Sequence, residues 1–321
     1  MNRPVTILGA GVAGLCAAAE LVTAGIDVTV IERGAKAGEL GTNRYAGGML
    51  APWCEAADTE PLVATLGGEA LTWWPRHFPG TQRAGTLAVA AARDRGELER
   101  LAARSRHGEW LDADHIAELE PVLAGRFQHG LYFADEGHLD PRAAIPALAH
   151  WLAARGVVFR YDTDAGDWPD HRGTVLDCRG IGARDRLPEL RCVRGEMLLL
   201  ESADITLSRP VRLVHPRGLV YLVPRGGGRC MLGGTALEST DAGPISARSA
   251  MTLLNGAYAL HPAFAEARIT ELGAGLRPAF PDNLPRLFQR DGRWHLNGLY
   301  RHGFLLAPAM ARQARIALTG D

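Results

Sequence analysis

The chain has 321 residues, of which 47% are hydrophobic and 22% charged, an ordinary composition for a folded globular protein. Its 35 Lys and Arg residues against 36 Asp and Glu residues leave a net charge of -1, so a nucleic-acid partner is not expected, because nucleic acid is bound by a basic surface. Lys36 is the only lysine, which argues against Schiff-base chemistry.

The N-terminal segment has the pattern of a βαβ unit. Residues 4–8 predict a buried strand, residues 15–24 a helix and residues 27–31 a second strand. Residues 33–51 follow as a loop rich in small side chains, and residues 60–74 predict a helix.

The rest of the chain alternates between strands and helices. The predicted strands lie at 85–90, 156–161, 174–178, within 195–223 and at 229–233, and the predicted helices at 94–105, 112–120, 142–155 and 246–260. Residues 294–321 predict a strand, a glycine-rich turn and a final helix. This order indicates a nucleotide-binding core built from discontinuous pieces, with a sheet domain inserted between them.

The first turn carries a dinucleotide-binding pattern. Gly9, Gly11 and Gly14 form GxGxxG between strand and helix, and Glu32 closes the second strand. The glycines allow a tight turn, the approach of a pyrophosphate and close helix packing, and the acid binds a ribose hydroxyl. The helix N-terminus holds the phosphates. This motif by itself fits NAD as well as FAD.

The cysteines and the apolar runs bear on location. The five cysteines are odd in number, and none has CxxC spacing, so neither a disulfide framework nor a metal site is expected. Residues 1–24 resemble a signal peptide only superficially, because the glycine turn indicates a folded unit. The sequence lacks the ~18 consecutive apolar residues of a membrane helix. A cytoplasmic protein without a membrane partner is therefore expected.

Three further clusters of small residues, at 45–52, 177–183 and 299–309, bear on the cofactor. The first would let the backbone approach a flat ring. The last forms a strand-to-helix turn near Gly303, whose amide dipoles would face an electron-rich ring edge. A loop or a helix cap is an equally good interpretation of any single cluster.

Taken together, these motifs resemble the D-amino-acid oxidase family of FAD enzymes, and within it the glycine oxidases of the thiamine-pathway type. The resemblance covers nearly the whole chain. Its most specific parts, besides the GAGVAG turn with Glu32, are AGGMLAP at 46–52, YLVPR at 221–225, GLRP at 275–278 and RHGFLLAP at 301–308.

The resemblance implies an α/β fold (α+β overall) with two discontinuous domains. The Rossmann-like FAD-binding domain would comprise residues 1–75, 136–190 and 271–321, and the antiparallel-sheet substrate-binding domain residues 76–135 and 191–270. FAD would be bound non-covalently. The expected cofactor contacts are Gly9, Ala10, Gly11, Val12, Ala13, Gly14, Glu32, Arg33, Arg44, Tyr45, Ala46, Gly47, Gly48, Met49, Leu50, Gly180, Arg301, His302, Gly303, Phe304 and Leu305.

The resemblance also implies a substrate site. The arginine of GLRP binds the substrate carboxylate in glycine oxidases, and it is Arg277 here; a guanidinium matches a carboxylate with two parallel hydrogen bonds. Tyr221 would donate a further hydrogen bond, although a packing role in the sheet is an equal interpretation without the resemblance. Arg301 would lie near the flavin and the amino acid. Arg277, Tyr221 and Arg301 are the expected catalytic residues, and Met49 and Ala236 complete the expected substrate contacts.

The implied reaction oxidises glycine or a related small amino acid. The α-hydrogen leaves as a hydride to flavin N5, O2 accepts the electrons and yields H2O2, and the imine hydrolyses to glyoxylate and ammonia or an amine. The motifs contain no convincing general base, which fits an amine that loses its proton to solvent. His302 is expected to structure its turn.

Two departures from the resemblance leave other interpretations open. Residues 160–173 are short and polar, so the usual adenine contacts cannot be carried over. Ala236 stands where some glycine oxidases have a bulkier side chain, and a roomier pocket would admit a larger N-substituted glycine and release its amine. An NAD-dependent dehydrogenase and a non-catalytic flavin-binding protein are two further hypotheses for the chain, and a homo-oligomer is open.

Overall fold

The helices and strands form two sheets with helices packed on them. The computed structural model describes residues 3–105, 107–167, 173–215 and 218–320. The helices in these ranges are α1 Val12–Thr23, α2 Pro61–Gly67, α3 Ala70–His77, α4 Arg95–Arg104, α5 Ala113–Leu119, α6 Pro141–Ala153, α7 Ala247–Leu260 and α8 Gly303–Thr319. The strands are β1 Val5–Leu8, β2 Val28–Ile31, β3 Met49–Leu50, β4 Thr86–Val89, β5 Glu109–Asp112, β6 His129–Phe133, β7 Gly137–His138, β8 Val158–Arg160, β9 Thr174–Asp177, β10 Arg191–Glu201, β11 Val211–His215, β12 Gly218–Gly226, β13 Arg229–Gly233, β14 Leu237–Glu238, β15 Arg268–Ala279, β16 Arg286–Arg290 and β17 Arg293–Asn297.

The first sheet has the order β16-β17-β9-β1-β2-β8. Every pair in it is parallel except β16 with β17. β1 lies near its centre, and α1 leads from β1 to the parallel strand β2, which makes a βαβ unit. Ala17, Ala18 and Ala19 of α1 are fully buried, and their short side chains allow α8 to pack closely along α1. This is the predicted Rossmann-like arrangement.

The second sheet has the order β10-β13-β12-β11-β4-β6-β5. β14 pairs with β10 on the same edge as β13, and β15 pairs along the opposite edge of β10. All of its pairs are antiparallel except β11 with β4. Leu198, Leu222 and Leu232 lie in its apolar core, against Leu253 of α7. Antiparallel strands with one face covered by a helix are typical of an inserted domain of this kind.

The long strand β15 joins the second sheet by pairing with β10 from Arg268 to Ala279. This strand is not among those predicted from the sequence, and the predicted domain boundary at residue 271 falls inside it. The division of the chain into two domains stays a prediction.

Several predicted elements differ in detail from the structure. The single helix predicted over residues 60–74 is two helices, α2 and α3. The break follows Gly67. A Cβ at this position would lie only 2.7 Å from Leu305 Cγ in α8, so glycine allows the backbone to lie close to α8. The predicted loop at 33–51 contains the short strand β3, which pairs with β7. The predicted cap of the helix at 112–120 is confirmed, since Asp112 accepts a hydrogen bond from the His115 amide.

All five cysteines are buried and free. Burial raises the thiol pKa of four of them, namely Cys16, Cys54, Cys178 and Cys230. Within the described ranges, none of the helices is long and apolar enough to span a bilayer.

Candidate active site

The glycines of the first turn are required by the close approach of other backbone atoms. Gly9 has a φ of +100°, and a Cβ there would lie 2.9 Å from the Cys178 carbonyl oxygen. A Cβ on Gly14 would lie 2.0 Å from the Gly9 carbonyl oxygen. Both positions therefore exclude larger residues, which keeps α1 close to β1 and β9.

Glu32 joins this turn to the end of β2. Its Oε2 accepts a hydrogen bond from the Ala10 amide at 2.8 Å, and its Oε1 accepts one from the Gly34 amide at 2.9 Å. The carboxylate thus lies beside the start of α1, where the sequence predicts the adenosine end of a dinucleotide.

A cavity of about 410 Å³ extends from this turn to β15, and we call it the nucleotide cavity. Among the residues that line it, those expected from the sequence to contact the cofactor are Gly9, Gly11, Val12, Ala13, Glu32, Arg33, Tyr45, Gly180 and Gly303. Thr163, Asp164 and Ala165 also line it, so part of the stretch at 160–173 contributes, while residues 168–172 lie outside the described residues.

A smaller cavity of about 110 Å³, the substrate cavity, adjoins the nucleotide cavity. Among the residues that line it, those expected from the sequence to contact the cofactor or the substrate are Tyr45, Ala46, Gly47, Gly48, Met49, Tyr221, Ala236, Arg277, Arg301, His302, Gly303, Phe304 and Leu305. Thr42, Asn43, Tyr45, Gly275, Tyr300 and Gly303 line both cavities. The two are therefore continuous, and one elongated ligand can extend from the glycine turn to Arg277.

Both helices that begin at these cavities have uncapped N-termini. α1 and α8 have no side-chain cap and no acidic residue in the first turn, yet Val12, Ala13 and Gly303 line the cavities. The first amides of a helix have no partner within the helix. A pyrophosphate at α1 and an electron-rich ring edge at α8 would satisfy them, so the residues present fit FAD.

Arg277 lies in β15 and faces Gly195 of β10. Its Nη1 donates a hydrogen bond to the Thr235 carbonyl oxygen at 2.8 Å. A Cβ on Gly195 would lie 2.0 Å from Arg277 Nη2, so only glycine leaves room for the guanidinium. Among the described residues, no carboxylate forms an ion pair with it, although burial lowers its pKa. A half-buried cation without an ion-pair partner can bind an anion from outside the chain.

Tyr221, in β12, is surrounded by glycines. A Cβ on Gly47 or Gly233 would lie 2.9 or 2.8 Å from the ring, and one on Gly234 would lie 3.0 Å from the hydroxyl oxygen. Burial raises the pKa of Tyr221, so the hydroxyl keeps its proton and is available as a hydrogen-bond donor in the substrate cavity.

Arg301 differs from Arg277 because it already has an acidic partner. Its Nη2 lies 2.9 Å from Glu55 Oε2, with the side chains 21% and 13% exposed, and its Nε donates to His302 Nε2 at 3.3 Å. Burial alone would raise the pKa of Glu55, but the charges of Arg301 and Arg212 hold it below its usual value. Burial lowers the pKa of His302 to about 3. Glu55 is therefore ionised and His302 neutral.

The loop that carries Glu55 is fixed by buried polar contacts. Glu136 Oε1 accepts hydrogen bonds from the amides of Trp53 and Cys54 at 2.7 and 2.8 Å. Arg212 bonds the Cys54 carbonyl oxygen and the Asp58 carboxylate. Burial raises the pKa of Glu136 to about 8. These contacts hold the loop in place, and Glu55 lines the substrate cavity.

Ala236 and Met49 lie at different depths of the substrate cavity. Ala236 is exposed, and it follows the buried segment that ends β13. Met49 is half-buried in β3. The small side chain at 236 therefore leaves the entrance open on that side.

Four predicted cofactor residues line neither cavity. Ala10 and Leu50 are fully buried, Gly14 packs on the turn, and Arg44 is exposed and lies 3.7 Å from Glu271. Conversely, the substrate cavity is also lined by residues that were not predicted as site residues, among them Thr42, Asn43, Glu55 and Tyr300.

The sequence signals for these four residues differ. Tyr300 directly precedes the RHGFLLAP motif, and Thr42 and Asn43 lie just before the cluster of small residues at 45–52. Nothing in the sequence around Glu55 indicates its place. In the described part of the chain, no three His, Cys, Asp or Glu side chains are arranged to hold a metal ion.

Comparison with known proteins agrees with this geometry. Residues 4–315 match the DAO family, described as FAD dependent oxidoreductase. A Rhizobium etli protein assigned by name to thiamine biosynthesis as the oxidoreductase ThiO is 54% identical over 323 residues, which are 98% of this chain and 96% of the relative. The glycine oxidase of Geobacillus kaustophilus is 28% identical over 343 residues, which are 95% of this chain and 89% of the relative.

The crystal structure of glycine oxidase from Geobacillus kaustophilus has the same fold. It superposes with a TM-score of 0.84 at 24% identity, covering 100% of this chain and 95% of that one. The predicted fold class and the predicted FAD dependence are confirmed, and the NAD-dependent dehydrogenase is excluded. The chain belongs to the DAO family of FAD-dependent oxidoreductases.

Proposed function

We propose that the protein oxidises glycine or a small N-substituted glycine, with Arg277 and Tyr221 binding the substrate carboxylate. One observation carries the proposal: Arg277 lies in a cavity continuous with the nucleotide cavity and has no carboxylate partner among the described residues. The glycine oxidases and the protein named ThiO that resemble the chain support the same substrate class.

The side chains orient the substrate rather than exchange protons with it. FAD, when bound, supplies the acceptor for the hydride that leaves the α-carbon. Arg277 and Tyr221 fix the carboxylate, and a fixed carboxylate restricts the direction of the α-hydrogen. His302 is held neutral and buried, and Glu55 is engaged by Arg301. Neither is free to act as a base, so the amine loses its proton to solvent before it reacts.

The exposed Ala236 supports a larger N-substituted glycine as a second candidate substrate. With only a methyl group at the entrance, a substituent on nitrogen can extend into solvent while the carboxylate stays on Arg277. The product would then be a free amine together with glyoxylate.

The remaining parts of the proposal concern the acceptor and the setting. O2 would take the electrons and yield H2O2, in keeping with the name oxidase that the Geobacillus kaustophilus relative carries. Non-covalent FAD, a cytoplasmic location and a homo-oligomer remain predictions; the free cysteines agree with a reducing compartment.

Anaerobic bleaching of the yellow protein tests the substrate. Glycine, sarcosine, D-alanine and a long-chain N-carboxymethyl amine would be compared in parallel. Bleaching by glycine or sarcosine supports the small substrate, and bleaching only by the large amine supports the second candidate. If none of the four bleaches the flavin, the proposed substrate class is wrong.

Replacement of Arg277 by Ala tests the proposed anion site. We expect kcat/KM to fall roughly 150-fold, which corresponds to a loss of about 3 kcal/mol in transition-state stabilisation, as when one partner of a buried charge pair is removed. An unchanged kcat/KM would show that the carboxylate binds elsewhere.

A further inference from the structure

The substrate cavity contains two arginines and one carboxylate, all facing the same space. Arg277, Arg301 and Glu55 all line it. His302 and Tyr221, which also line it, add no charge, because burial lowers the pKa of His302 and raises that of Tyr221. The formal charge of the lining is therefore +1, which matches one substrate carboxylate.

The two arginines differ in what occupies them. Arg277 donates to a neutral carbonyl oxygen, and its remaining N–H groups have no carboxylate among the described residues. Arg301 is already engaged by the Glu55 carboxylate at 2.9 Å. A second anion arriving at Arg301 would face the negative charge of Glu55 at contact distance, in a site where solvent screens poorly.

Glu55 does not belong to the structural ion pairs that hold its loop. Asp58 pairs with Arg212, and Glu136 accepts from the loop amides. The hydrogen bonds that anchor the loop are therefore made by other carboxylates. The charge of Arg212 also acts on Glu55, but the hydrogen-bonded partner of the Glu55 carboxylate is Arg301, in the lining of the substrate cavity.

We propose that Glu55 limits the site to substrates with a single carboxylate, by neutralising Arg301 and repelling a second acid group. This inference rests on the proposed function, since it assumes that Arg277 binds the first carboxylate. Without the charge of Glu55, Arg277 and Arg301 would form a site for a dicarboxylic amine such as iminodiacetate, which is glycine with a carboxymethyl group on nitrogen.

The test compares three amines that separate charge from size. Sarcosine has one carboxylate, iminodiacetate has two, and the monomethyl ester of iminodiacetate has the bulk of the second group without its charge. The wild type is expected to oxidise the ester at least about tenfold better than iminodiacetate, in kcat/KM. In Glu55→Gln, which keeps an oxygen acceptor for Arg301, the ratio of iminodiacetate to sarcosine should rise by about 10- to 100-fold, while the ratio of ester to sarcosine stays constant.

Asp58→Asn is the matched control, because it removes a carboxylate from the same loop without changing the lining of the substrate cavity. It should leave the preference among the three amines as in the wild type. FAD content and thermal unfolding show whether each variant is folded.

Binding without turnover separates this inference from the proposed function. Acetate and malonate would be titrated into the FAD-loaded protein and followed by the flavin absorption spectrum. Wild type should bind malonate no more tightly than acetate, and Glu55→Gln should bind malonate about tenfold more tightly than the wild type does. These titrations judge the inference even if none of the amines is oxidised, an outcome that would refute the proposed function alone.

Three results would overturn the inference. They are a wild type that oxidises iminodiacetate as well as its monomethyl ester, a Glu55→Gln variant with an unchanged ratio of iminodiacetate to sarcosine, and equal gains for the acid and the ester in that variant. The last result would assign Glu55 a steric role.

Discussion

Gly195 is the position at which one methyl group should disable the proposed carboxylate site. In Gly195→Ala the new Cβ would lie 2.0 Å from Arg277 Nη2, 2.1 Å from Cζ and 2.6 Å from Nη1. Ordinary contact begins at 3.4 Å, so the guanidinium must move by about 1.4 Å, the difference between 3.4 and 2.0 Å. The end of a long side chain can move this far while the backbone of β10 and β15 stays in place, so we expect the fold to persist.

The displacement should cost substrate binding and rate. A misplacement of about 1 Å in a positioning group lowers rates by about 100-fold, which corresponds to about 2.7 kcal/mol. We therefore expect kcat/KM for glycine or sarcosine to fall by about that factor in Gly195→Ala. Anaerobic stopped-flow reduction of the flavin, over a range of amine concentrations, separates the loss of affinity from the loss of rate.

Gly96→Ala is the control, because a Cβ at Gly96 meets no atom within 4 Å. It should have wild-type kinetics. A folded, FAD-loaded Gly195→Ala protein within about threefold of the wild type would refute the assignment of Arg277 as the carboxylate ligand, since a displaced guanidinium could not bind equally well.

Three further substitutions test other parts of the structure. The folded protein holds the Glu136 proton more tightly than the unfolded chain does, with a pKa of about 8 against 4.5, so the free energy of unfolding falls as the pH rises through this window. Glu136→Gln keeps the acceptor for the Cys54 amide and should reduce that decline by about 1 kcal/mol per pH unit, measured by urea unfolding. Parallel curves of stability against pH for the two proteins would show that the carboxyl does not titrate. Ala236→Met should lower kcat/KM for a long N-carboxymethyl amine by about tenfold and spare glycine, and an equal loss for both would place residue 236 away from the entrance. Glu32→Ala removes the acceptor of the Ala10 amide and the expected ribose contact, so the affinity of the apoprotein for FAD, followed by flavin fluorescence, should fall about tenfold; an unchanged affinity would contradict the placement of the adenosine end.

The nucleotide-binding half of the fold could be predicted because its information is local. The glycines of the first turn, the following helix and Glu32 lie within one βαβ unit. The contacts of Gly14 and Glu32 stay inside that unit, and Gly9 is required by the close approach of Cys178 just after β9. The short range of these contacts makes the motif readable in the sequence.

Strand β15 could not be predicted from its residues. It contains Gly273, Gly275 and Pro278, which are unfavourable in strands. The structure shows why the glycines are there: a Cβ on Gly273 would lie 2.4 Å from the Tyr45 ring, and one on Gly275 would lie 2.5 Å from Thr42. The strand has a low β-propensity because glycine is needed where Tyr45 and Thr42 pack against its face.

Glu55 escaped prediction for a related reason. Its position depends on Glu136 and Arg212, which are distant in sequence and act on the loop rather than on Glu55 itself. An acidic residue in a loop has no local signal that distinguishes a cavity-lining position from a solvated one. Only the assembled loop places its charge beside Arg301.

The burial of the five cysteines has a consequence for the lifetime of the catalyst. Peroxide attacks the thiolate form of cysteine and drives it to sulfenic and then to irreversible sulfinic and sulfonic acids. Here all five thiols are buried, and burial raises the pKa of Cys54 and Cys178, which keeps them protonated. With one lysine in the sequence, few amines are exposed to an aldehyde product. Few thiolates and few amines are therefore available to react with the peroxide and the aldehyde that the proposed reaction would release.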